Sequence, residues 1–268
     1  MIKKDCPECD GTGWKPVETD GVEYVVRCKC RQATVTRQLL EQARIPRRYE
    51  HCAFENFDIR KHQETGQRNQ ILDRAKTVGM GFVREYPLEY GLLFLGPTGV
   101  GKTHLAVAVL RELITARGVE CLFYDFRDLL KTIQDSYNPV SQTSELRVLQ
   151  PVLDVGVLLL DEMVALNPSD WVKETLAYII NSRYNQKKVT LITTTIPLEA
   201  ESTRRGARET GPTRREPVAP SGESIPNFEV TLAQLGATLV SRLYEMCKLV
   251  EMSSDDYRKA VKRADIDS

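Results

Sequence analysis

The chain has 268 residues, 41% of them hydrophobic and 28% charged, enough for one large domain or a full-size domain with a small module beside it. Its 37 basic residues are balanced by 37 acidic ones, so the protein as a whole is not a general polyanion binder, and nucleic-acid contact has to come from a local patch. No apolar run approaches bilayer length, and the stretch from Met1 to Cys6 lacks the apolar segment and small-residue cleavage site of a secretory signal; both point to a cytoplasmic protein without a membrane partner and with reduced cysteines.

The first thirty residues hold four of the seven cysteines. Cys6-Pro7-Glu8-Cys9 is a C-x-x-C pair, followed by the glycine turn Asp10-Gly11-Thr12-Gly13. Tyr24-Val25-Val26 reads as one strand of a small hairpin, and Cys28-Lys29-Cys30 closes it with a tighter C-x-C pair. Cys6, Cys9, Cys28 and Cys30 suit a tetrahedral zinc site; reduced structural thiols or a redox pair are the alternatives, and C-x-C is less common than C-x-x-C in zinc modules. Cys52, Cys121 and Cys247 stand alone and read as small buried hydrophobes.

A helix is expected over 32–43, stopped before Ile45-Pro46. The stretch 47–58 has no clear period, and a second helix is expected over 64–86, with Ile71, Leu72, Ala75 and Val78 on one face. From Gly91 the rhythm changes. Leu92-Leu93-Phe94-Leu95 reads as a buried parallel strand, 103–117 as a helix stopped by Gly118, and 120–124 as a strand. A helix follows over 126–136, then a strand over 155–160, a helix over 171–184 and a strand over 189–194. Strands alternating with helices imply a parallel sheet covered on both faces. The segment 199–226 is rich in Arg, Glu, Gly, Pro, Ser and Thr and reads as a flexible surface insertion, either a solvated loop or a partner contact. Helical pattern resumes over 231–250. The expected divisions are a cysteine module over 1–31, a helical and extended linker over 32–63, and an ATPase domain over 64–268.

Gly96-Pro97-Thr98-Gly99-Val100-Gly101-Lys102-Thr103 matches G-x-x-x-x-G-K-[ST] and lies between an expected strand and an expected helix. Glycines let the backbone N–H groups wrap the phosphates of ATP, and the helix dipole points at the same anions. Lys102 can reach the β- and γ-phosphates, and the Thr103 hydroxyl can serve Mg²⁺. The apolar strand Val157 to Leu160 ends in Asp161 and Glu162, where a parallel sheet puts its ligand edge. Asp161 is placed to bind Mg²⁺ through its water shell, and Glu162 to polarise a water for attack on the γ-phosphate. Thr195, at the end of the next strand, can hydrogen-bond that water or the γ-phosphate.

Together these features resemble the bacterial replicative-helicase loaders of the DnaC and DnaI type within the AAA+ ATPases, over nearly the whole chain. The marks are the cysteine-rich start, Ile45 to Tyr49, Phe54 to Asp58, the phosphate loop, Asp161-Glu162, Trp171 through Arg183-Tyr184-Asn185, Thr193 to Pro197, and Ser241-Arg242-Leu243-Tyr244-Glu245-Met246-Cys247. The resemblance implies an AAA+ P-loop core preceded by a small zinc module. It implies a sensing role at Thr195, where family members usually carry Asn, and an arginine finger at Arg242 completing the ATP site of a neighbouring copy. Its implied partners are the replicative DNA helicase, through the N-terminal module, single-stranded DNA, and other copies of the chain through the ATP site. Two alternatives share the core: a transposase-helper ATPase of the IstB type, and an ATP-switched adaptor with little turnover.

Overall fold

The computed structural model describes residues 6–19, 21–59, 69–138, 144–163, 168–195, 235–254 and 256–260. The insertion expected over 199–226 lies outside them.

A small antiparallel hairpin, β1 (Trp14–Thr19) and β2 (Val22–Arg27), precedes helix α1 (Lys29–Gln42). Cys30 thus sits in the first turn of α1, which starts three residues earlier than periodicity alone places it. A single 3₁₀ turn at Arg47–Tyr49 leads into the segment 50–58. Helix α2 (Gln70–Glu85) begins after Asn69, whose side chain accepts from the Ile71 and Leu72 N–H groups.

The body is a five-stranded parallel sheet of β3 (Gly91–Gly96), β4 (Cys121–Asp125), β5 (Val157–Asp161), β6 (Val189–Thr195) and β7 (Cys247–Glu251). Their order across the sheet is β4-β5-β6-β3-β7. Between them run α3 (Lys102–Arg117), α4 (Phe126–Ser136), α5 (Glu145–Asp154), α6 (Asp170–Asn185) and α7 (Ala237–Met246), and a short α8 (Tyr257–Ala260) follows the last strand.

One element is added and one expectation changes. Helix α5, for which the sequence pattern carries no expectation, contains Pro151, and Ser144 caps its start by accepting from the Arg147 N–H. Within the stretch expected to be one helix over 231–250, Ala237–Met246 is a helix and a strand follows, because Cys247 to Glu251 pair in parallel with Gly91 to Leu95.

The sheet's period of two divides the apolar residues between two cores. Leu92, Phe94, Phe123, Leu159 and Leu191 face α2 and α3, while Leu93, Leu95, Leu122, Leu158, Leu160 and Ile192 face α4 to α7. Ala43, Cys52, Phe54 and Phe57 are buried in the first core, so the segment joining the hairpin module to α2 is packed against the sheet-covering helices. Arg183 on α6 is wholly buried in the second half of the fold. Its guanidinium donates to the carbonyls of Val152 (2.8 Å), Val155 (2.9 Å) and Val189 (2.6 Å) and to Thr190 Oγ1 (2.9 Å). It ties the end of α5 to the starts of β5 and β6, and burial pushes its pKa down to about 9. No helix among the described residues is long and apolar enough to cross a membrane.

Candidate nucleotide and metal sites

The loop Gly96 to Gly101 leaves the carboxyl end of β3 and opens α3. Asn69, Asp125, Ser144 and Ser169 cap their helices with side chains, whereas α3 starts at Gly101 (φ 98°) without a side-chain cap. Its first N–H groups and its dipole are therefore left for an anion. The loop is held from both sides. A Cβ on Gly101 would lie 2.7 Å from the Phe57 ring, and one on Gly99 (φ 81°) would lie 2.0 Å from Asp256 Oδ1. Behind it, the Met252 N–H donates to Leu95 O (2.8 Å) and the Tyr257 N–H to Gly99 O (3.1 Å).

Lys102 is buried, and its Nζ donates to Gly96 O (2.9 Å) and Pro97 O (2.8 Å). Burial lowers its pKa to about 8, against the opposing pull of Glu162 and Asp161. Thr103 Oγ1 donates to Asp161 Oδ1 at 2.9 Å. Neighbouring ligands of an octahedral Mg²⁺ at about 2.1 Å stand roughly 3 Å apart, so this hydroxyl and carboxylate fit that ion or its water shell.

Asp161 is buried at the end of β5, and burial raises its pKa to about 6 although Thr193 and Thr103 hydrogen-bond it. Thr193 Oγ1 donates to Asp161 Oδ1 (2.6 Å) and accepts from the Glu162 N–H (2.9 Å), while the Met163 N–H donates to Thr193 O (2.9 Å). One threonine hydroxyl thus holds the carboxylate of Asp161 and the backbone of Glu162. Glu162 itself has left-handed backbone (φ 53°) and an exposed side chain at the cleft, open to water.

Of these groups, Lys102, Thr103 and Glu162 line one cleft of about 330 Å³, with Asp161 and Thr193 buried behind it. Its walls include Thr98 to Thr103, Glu162 and Thr195, and on the far side Tyr49, His51, Phe57 and Leu72. Thr195 therefore sits on the cleft wall, whereas Thr193, which sequence reasoning did not single out, lies buried beneath Asp161. Arg48 and Arg258 also line the cleft, two cations to which sequence reasoning gave no role, although Arg48 lies within the stretch Ile45 to Tyr49. Arg242 is not among the residues lining the cleft; it lies on α7, against α6.

The second cluster is at the hairpin. The sulfurs of Cys6, Cys9, Cys28 and Cys30 all lie within 4.8 Å of one another, with Cys6 to Cys28 at 3.7 Å and Cys9 to Cys30 at 3.4 Å. Tetrahedral sulfurs at about 2.3 Å from zinc are separated by just under 4 Å, so the set fits a Zn²⁺ ion. Burial and the neighbouring thiols push Cys30 up to about 12, a repulsion that a dication would relieve.

A sheet of this order, with a phosphate loop after β3 and an acid pair after β5, is that of an AAA+ P-loop nucleoside triphosphatase core. The family model of the IstB-like ATP binding proteins matches residues 19–206, and the chain belongs to that family. Among its relatives it is 29% identical over 152 residues to the replicative helicase loader DnaC of Escherichia coli (strain K12). That match covers 56% of this chain and 58% of the relative, so it spans less than two thirds of the relative's length. The chain is also 22% identical over 209 residues, 74% of its length and 61% of the other's, to the uncharacterized protein YqaM of Bacillus subtilis (strain 168). The crystal structure of the DnaC helicase loader superposes with a TM-score of 0.59 at 29% identity, covering 78% of this chain and 100% of that one. A crystal structure of DnaI, at 20% identity and a TM-score of 0.54 over 80% and 95% of the two chains, shares the fold.

Proposed function

We propose that the chain binds Mg-ATP in the cleft, hydrolyses it, and uses the cycle to deliver a replicative DNA helicase onto single-stranded DNA. The observation that carries the reading is the convergence of Lys102, Thr103, Asp161, Glu162 and Thr193 at one sheet edge, in a chain whose relatives include helicase loaders. The loop Gly96, Pro97, Thr98, Gly99, Val100 and Gly101 cradles the phosphates with its N–H groups. Lys102 leaves its two carbonyls for the β- and γ-phosphates, and Thr103 and Asp161 hold Mg²⁺. Glu162 takes the proton of the attacking water, oriented through Thr193, with Thr195 on the wall above it. Arg242 reaches the cleft of a neighbouring copy, adding a third guanidinium to Arg48 and Arg258 as charge builds on the transferring phosphoryl group.

In this reading residues 1–31 form a zinc module that contacts the helicase, and residues 64–268 carry the ATPase in the cytoplasm. The linker 32–63 joins them, with Phe54 and Phe57 packed into the core. The match to the IstB-like model favours a second reading, in which the same ATPase serves a transposase. One experiment separates them. Affinity capture from the native host recovers a hexameric helicase under the first and a transposase under the second. Phosphate release tests the chemistry: Lys102→Ala is expected to lose tight ATP binding, and Glu162→Gln to bind ATP without turnover. Near-normal turnover in Glu162→Gln would move the base elsewhere.

A further inference from the structure

Arg242 is not loose on the surface. Its guanidinium donates from Nη1 to Asn181 Oδ1 and lies 5.4 Å from the centre of the Tyr184 ring. The Tyr184 hydroxyl in turn donates to Glu245 Oε2 at 2.8 Å. Asn181 and Tyr184 are three apart on α6, and Arg242 and Glu245 three apart on α7, so each pair shares one helix face and the two faces meet. Leu239, Leu243 and Met246 bury the adjacent face of α7 in the sheet-covering core, which fixes the rotation of α7 and leaves Arg242 on its flank, toward α6.

We propose that Asn181 and Tyr184 are positioning residues for Arg242, a cradle that holds its guanidinium in one pose before a neighbouring copy docks. The proposal rests on the trans role of Arg242 stated above. An arginine side chain is rich in rotamers, and a cation that must be ordered during the reaction contributes less than one already aimed. The planar guanidinium suits this arrangement. One edge is held by the amide oxygen and one face rests on the ring, which leaves other N–H groups to point outward. Glu245 anchors the ring by accepting from its hydroxyl, and so fixes the platform on which the cation rests. Sequence alone hides the cradle, because 61 positions separate Asn181 from Arg242.

The test is a mixing experiment with full-length chains. An Arg242→Ala chain, with an intact cleft, is mixed with a Lys102→Ala chain, which can supply the finger but not turn over ATP. Asn181→Ala is then added to one chain or the other. Recovered phosphate release should fall about tenfold or more when Asn181→Ala sits in the finger-supplying chain, and stay within about twofold when it sits in the ATP-binding chain. Tyr184→Ala should behave like Asn181→Ala, and Tyr184→Phe, which keeps the ring, should retain most of the recovery. Thermal unfolding and ATP titration of each single chain check folding separately. Equal loss in either chain, or no loss in the finger-supplying one, overturns the cradle. Association of the two parent chains with no recovered activity overturns the finger, and the cradle with it.

Discussion

Thr193→Val removes one hydroxyl that meets both acids of the candidate site, and the structure sets the size and pH dependence of the loss. Asp161 is raised from the ordinary 3.8 to about 6, so ionising it costs the folded state roughly 3 kcal/mol more than it costs the unfolded chain. A carboxyl raised in this way stabilises the fold at low pH, and that contribution is lost as pH rises from about 4 through about 6. The Thr193 hydroxyl, donating at 2.6 Å, already offsets part of the cost of the charge. A hydrogen bond to a charged group is worth about 1.5–3 kcal/mol and one to a neutral group about 1. Thr193→Val should therefore destabilise by about 2 kcal/mol at pH 8, where Asp161 is ionised, and by about 1 kcal/mol at pH 5, where it is protonated. The difference should move the Asp161 titration up by about one pH unit. Urea denaturation at the two pH values measures the first effect, and carbon NMR of the labelled Asp161 carboxyl measures the second. A penalty independent of pH, or an Asp161 titration that does not move, would show that the hydroxyl does not support the charge.

Mg-ATP affinity should weaken as pH falls through about 6, because the metal needs Asp161 ionised and burial holds the proton on. Asp161→Asn should abolish this part of the slope, so the difference between the two profiles, read by calorimetry, isolates it from the titration of ATP itself. Replacing Arg183 by Met should destabilise by about 3–5 kcal/mol in urea, since the buried carbonyls of Val152, Val155 and Val189 lose their donor. Stability near the parent value would mean that other donors reach those carbonyls. Purified protein should carry about one zinc per chain, lost when Cys6 and Cys9 are replaced by Ser, while the ATPase core still unfolds cooperatively because the four cysteines pack as a cluster of their own. Elemental analysis finding no zinc, with four titratable thiols, would refute the metal site.

The parts of the site that were legible are those written contiguously. Gly96 to Thr103 carry their own spacing, and the apolar run into Asp161-Glu162 ends where a parallel strand should end. Helix α4 was legible to the residue, since Asp125 caps it by accepting from the Arg127 and Asp128 N–H groups and its apolar face repeats regularly. Thr193 was not legible. Its importance comes from β6 lying between β3 and β5, a placement no local pattern records, and within a run of three threonines only register tells which hydroxyl lies under the acid. Strand β7 was hidden for a related reason: Cys247 to Glu251 continue the periodicity of α7, and their pairing with β3 decides the conformation. The C-x-C pair reads as irregular until α1 is seen to start at Lys29, which folds Cys30 back toward Cys9.

The backing of the phosphate loop has a consequence for synthesis. Phe57, translated before the loop, and Met252, Asp256 and Tyr257, translated long after it, close on the same few glycines. A ribosome that has just finished the loop has therefore made a sequence motif, not yet a binding site. A nascent chain stalled before Met252 would expose the loop without the carbonyl partners and wall that shape it, and would be expected to retain labelled nucleotide poorly. Release of Met252 to Arg258 from the exit tunnel is then the moment at which the loop first gains its full backing.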